Sequence, residues 1–110
     1  MTHKQLPDAI TDFLEGLIAG DADLAISGVT PSAVGVDNVT SFAGKDGIRR
    51  LLDSKPMLGS ASTWRVDYAM DSEFIVTDEA GLQLQFLLDF GRISYLHVDS
   101  THMERQELAA

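Results

Sequence analysis

The hydrophobic residues of this chain change their period at Pro56, and that break constrains the fold more than any other feature of the sequence. Before it, apolar positions recur every three to four residues, the spacing of a helix with one covered face. After it they recur every second residue, the spacing of a strand covered on one side. Ile10, Phe13, Leu14, Leu17 and Ile18 fall at i, i+3, i+4, i+7 and i+8 of a first helix that starts near Leu6. Pro7 suits its first turn, Asp8 places negative charge at its start, and Gly20 is placed to end it. Asp21-Ala22-Asp23 opens a second, shorter helix carrying Leu24, Ala25 and Ile26, which Gly28 and Pro31 break. Ala33 to Val36 reads as a short strand, Asp37 to Ala43 as a connection, and Gly44 to Ser54 as a third helix with Ile48, Leu51 and Leu52 inward.

Beyond Pro56, Trp64, Val66, Tyr68 and Met70 alternate with Arg65, Asp67 and Ala69, so Tyr68 is expected on the same strand face as Trp64. Phe74 to Thr77, Leu82 to Leu88 and Ile93 to Asp99 are three further strands, separated by Asp71-Ser72, by Asp78 to Gly81 and by Phe90-Gly91-Arg92. Connections this short imply antiparallel neighbours, since a parallel pair needs a crossover of about a dozen residues. Helices followed by a meander predict an α+β domain whose curved antiparallel sheet packs on the N-terminal helices.

The 110 residues predict one domain over 1–110, with a core from about 6 to 100 and a short polar tail over 101–110 that frays. There is no cysteine, which excludes disulfides, thiolate metal sites and cysteine nucleophiles. The formal charge of −9 repels phosphate backbones and anionic lipid, so neither nucleic acid nor membrane is expected as a partner. Met1-Thr2-His3-Lys4-Gln5 lacks the apolar run of a signal peptide, and no stretch approaches the ~18 apolar residues of a membrane span. A soluble, cytoplasmic protein is expected.

Two segments carry a family resemblance: Ala19-Gly20-Asp21-Ala22-Asp23 after an amphipathic helix, and Phe42-Ala43-Gly44-Lys45-Asp46-Gly47-Ile48 opening the third helix. With Phe86 to Asp99 as a last hairpin, the order from Leu6 to Ser100 resembles the nuclear transport factor 2-like superfamily, nearest its ketosteroid isomerase and SnoaL-like polyketide cyclase branches. The resemblance implies a conical barrel: a bent antiparallel sheet around a long helix, an apolar pocket between helices and sheet, and a homodimer paired through the outer sheet face. It implies a hydrophobic small-molecule partner and no cofactor.

Laid on the isomerase pattern from Ala19, the chain runs without a gap to Asp37, which falls where that family keeps its general-base carboxylate. A carboxylate suits a proton shuttle, and an apolar pocket would raise its pKa into the working range. The plain structural alternative is that Asp37, followed by Asn38, opens a polar turn. The family's oxyanion donors correspond to Phe13 and Leu84, which have no proton to give, so isomerisation by the family's own mechanism is not expected. Asp99 and Tyr68 are the candidate assisting groups. Phe13, Leu17, Trp64, Leu84 and Phe86 are the candidate walls of a ligand pocket, or equally core.

His97 and Asp99 lie two apart and share a strand face with Tyr95, while Arg65, Asp67 and Asp99 imitate the trio of the epoxide hydrolase branch. His97, Asp99 and His102 do not form a recognised metal spacing, and no metal is expected. Asn38-Val39-Thr40 is read as a chance sequon, and Gly44 and Gly47 as helix-start residues. Two functions stand at this point: a cofactor-free acid/base isomerase or cyclase on a hydrophobic ketone with Asp37 as base, or a non-catalytic ligand-binding or dimerisation module. A base in an apolar cavity favours the first, a filled cavity the second.

Overall fold

The computed structural model describes residues 6–61 and 63–100. The proposed tail, His102 included, lies outside the described residues. Helix α1, Asp8–Ala19, starts after Pro7, whose carbonyl accepts from the N–H groups of Ile10 and Thr11. It stops at Gly20, which takes a left-handed φ of 71° and donates its N–H to the carbonyl of Leu17. Asp21 then caps α2, Ala22–Ile26, by accepting from the Leu24 N–H at 3.1 Å. The two helices cross so closely at Gly16 that a Cβ there would lie 2.5 Å from the Ala25 nitrogen. Ala9, Ile10, Phe13, Leu14 and Leu17 are buried as their spacing predicts, whereas Ile18, at the edge of that stripe, is exposed.

The first strand, β1, runs Val29–Val36 and so begins before the predicted Ala33. Pro31 does not break it, because it sits where the pairing with the last strand shifts register between Val29 and Val34 and no regular ladder bond is asked of it. A three-residue strand, β2, Ser41–Ala43, occupies part of what reads as a connection. Helix α3 follows at Gly44–Ser54, then a 3₁₀ turn at Pro56–Ser60. Strands β3, Trp64–Met70, β4, Glu73–Asp78, β5, Gln83–Asp89, and β6, Arg92–Asp99, form the expected meander. Its last turn places Phe90 and Gly91 both at positive φ, the twist that joins right-handed strands without splaying them.

The six strands form one open sheet in the order β2-β1-β6-β5-β4-β3. The sheet is mixed and not wholly antiparallel, because β1 pairs parallel to β6. Those two strands are joined through most of the chain, so no hairpin fixes their direction. Leu84, Phe86, Leu96 and Val98 line the inner face and meet the helices. Phe13 packs edge-to-face on Phe86 with ring centroids 5.3 Å apart, and both rings are fully buried. This is an α+β fold in which a curved sheet holds three helices on its inner side.

One register break changes the sequence reading. Between Val66 and Tyr68 the β3–β4 pairing slips, with Val66 opposite Val76 but Tyr68 opposite Ile75. Asp67 sits in that bulge, and past it the strand's faces exchange. Tyr68 therefore leaves the face of Trp64 and joins the outer face.

Candidate functional site

Asp37 closes β1 as the first residue of the turn into β2. Its Oδ1 accepts from the backbone N–H groups of Val39 and Thr40 at 3.1 and 2.8 Å, the local pattern that Asx residues favour in turns. Its Oδ2 lies 3.7 Å from Nζ of Lys55, just past the end of α3, and both side chains are mostly covered. The Thr40 N–H, with the Val39 N–H and the Lys55 charge, outweighs burial and holds the Asp37 carboxyl below its ordinary value of 3.8. This is the reverse of the upward shift an apolar pocket would give. Beside it, Nε2 of His97 stands 2.5 Å from Oδ1 of Asn38, which takes a positive φ of 84°.

The remaining candidates are dispersed. Tyr68 lies on β3, four strands from β1, on the order of 19 Å at about 4.8 Å per strand. Asp99 faces outward opposite Gln83, beside His97 opposite Gln85. Arg65 donates from Nε to Asp67 at 2.7 Å, and Asp67 also accepts from the Thr77 hydroxyl; both bonds, the first most, lower the Asp67 pKa. Asp99 is three strands from Arg65, so the epoxide hydrolase-like trio is split. Among the described residues no group of three or more His, Cys, Asp or Glu side chains could hold a metal.

The five candidate wall residues also part company. Phe13, Leu84 and Phe86 are fully buried in one apolar cluster and fill the inside of the cone. Trp64 borders a surface cleft with Thr63, Asp78 and Glu79, its Nε1 buried and without a hydrogen-bond partner among the described residues. Leu17 alone lines a pocket of about 200 Å³ on the helix side, between α1, α2, the end of α3 and the 3₁₀ turn. Its other walls are chiefly apolar, Ala25, Leu52, Pro56 and Leu58 among them, with Lys55 and Asp53 supplying its charges. Sequence reasoning missed Lys55 here. Its one local signal was a cation directly before Pro56, which says nothing of a partner 18 positions away.

The fold built from these elements is shared with many solved proteins. TerC co-crystallised with polyporic acid superposes with a TM-score of 0.66 at 14% identity, over 89% of this chain and 94% of that one. This chain has the nuclear transport factor 2-like fold. Within that fold, a candidate polyketide cyclase from Sinorhizobium meliloti gives 0.61 at 22% identity, covering 84% of this chain and 94% of its own. A nuclear transport factor 2-like protein of unknown function from Burkholderia pseudomallei K96243 gives 0.62 at 12%, covering 89% and 93%. No protein-family model and no curated protein matches the sequence. Identities this low carry the fold and not an activity.

Proposed function

We propose that this chain is a non-catalytic small-molecule-binding module on the nuclear transport factor 2-like fold, with its ligand in the helix-side pocket rather than inside the cone. One observation carries the reading: where an isomerase or cyclase would need an open interior beside a base of raised pKa, Phe13 packs edge-to-face on Phe86 and Asp37 is fastened in its ionised form. A carboxylate so stabilised is a poor proton acceptor from carbon. The pocket by Leu17 is of the size that takes a single small ring, since an apolar cavity of about 150 Å³ holds benzene. The module acts as a homodimer through the outer sheet face. One row across that face runs Met70, Glu73, Leu87, Tyr95 and Val34 and the next Tyr68, Ile75, Gln85, His97 and Val36, so apolar side chains alternate with a few polar ones over this part of the face.

Methyl-detected NMR with benzene as the probe tests the site. Saturable shifts confined to Leu17, Ala25, Leu52 and Leu58 are expected, and they should vanish in Ala22→Phe, which fills the pocket from its rim. Shifts centred on Leu84 and Leu96, inside the cone, would overturn the reading.

A further inference from the structure

We infer that the helix-side pocket is built for a small apolar molecule bearing a single carboxylate, with Lys55 receiving the anion. The inference rests on the proposed pocket and goes on to name its ligand class. Among the described lining residues Lys55 is the one cation, and apart from Asp53 the others are apolar. Its side chain is about four-fifths covered, so an anion drawn to it meets a charge that water screens less than at an open surface.

Lys55 is also only loosely engaged by Asp37. The separation of 3.7 Å exceeds the 2.7–2.9 Å of a charge-assisted hydrogen bond, so the pair holds by Coulomb attraction. Asp37 in turn is not held by the lysine alone, because two backbone N–H groups donate to its Oδ1. An ammonium has three donors, and one can turn to a ligand while the attraction to Asp37 persists. A monoanion fits better than a phosphate, since two carboxylates, Asp37 beside the lysine and Asp53 on the wall, would repel a dianion. The volume of about 200 Å³ limits the apolar part to roughly one ring.

Benzoate and its neutral isostere benzamide distinguish this from simple apolar filling. In NMR titrations of the wild type, benzoate is expected to bind about tenfold more tightly than benzamide, the scale of one charge-assisted hydrogen bond. Lys55→Met keeps an apolar stem of similar length, and there the two probes should bind within about twofold of each other while benzamide affinity holds. Asp37→Asn, which retains the turn's acceptor oxygen and frees the ammonium, should tighten benzoate severalfold. Equal affinities in the wild type, or a benzoate preference that survives Lys55→Met, overturn the ligand class but leave the pocket standing. Failure of both probes to perturb Leu17 and Leu58 overturns pocket and ligand class together.

Discussion

At the scale of single residues, Asp37 shows how one side chain satisfies a sequence expectation and defeats its use. Its identity as a turn-forming aspartate is legible, because Asp followed by Asn at a strand end offers its own acceptor to the next amides. Its lowered pKa is not legible, since that depends on Thr40 and Val39 folding back and on Lys55 arriving from another element. A pH signature follows. The folded carboxyl binds its proton less readily than the unfolded one, so stability rises with pH across the window between the two values. The contribution is complete above about 4, the unfolded range, and is lost as pH falls through the folded value. Asp37→Ala, which removes both backbone bonds, is expected to cost about 1–2 kcal/mol at pH 7 in urea unfolding. At a pH below the folded value the difference should shrink.

Elements were legible wherever the apolar period was long and uninterrupted. The spacing of Ile10, Phe13, Leu14 and Leu17 marks α1, and the alternation of Leu82, Leu84 and Phe86 with Gln83 and Gln85 marks β5. What stayed hidden were features set by pairing. The bulge at Asp67 breaks a pattern that looks continuous from Trp64 to Met70, and a three-residue β2 is too short to show a period. The parallel β1–β6 contact joins segments with nothing local to relate them. Packing of elements yields two further expectations. Gly16→Ala should gain roughly 1 kcal/mol of helix propensity, yet its Cβ would meet the backbone of Ala25 and Asp21, which cannot turn aside. A net loss of about 1–3 kcal/mol is expected by thermal or urea denaturation. Phe13→Ala empties one half of the ring pair at the centre of the core and should cost about 3–5 kcal/mol by the same measurement.

For the whole molecule, charge and face work against each other. In the proposed homodimer each copy carries a formal charge of −9, so apolar contact among Tyr68, Met70, Leu87 and Val34 would have to overcome their long-range repulsion. Raising salt screens the repulsion and leaves the apolar gain, so analytical ultracentrifugation should find self-association strengthening between low and moderate ionic strength. Leu87→Glu, placed in the middle of that face and opposite Glu73, should leave a folded monomer at the same concentration.

The cone and its order of elements could be read from periodicity and from the resemblance, whereas the state of its interior could not, because the same apolar residues serve as core or as pocket wall. Phe13, Leu84 and Phe86 are buried in the apolar cluster, and Asp37 is bound into a turn. The most direct test of that account is the pH titration of the Asp37 carboxyl carbon by NMR in the wild-type protein. A midpoint below 3.8 is predicted, the behaviour of a carboxylate held ionised by backbone amides and Lys55. A midpoint raised well above that value would contradict the account and return Asp37 to the role of a base in an apolar site.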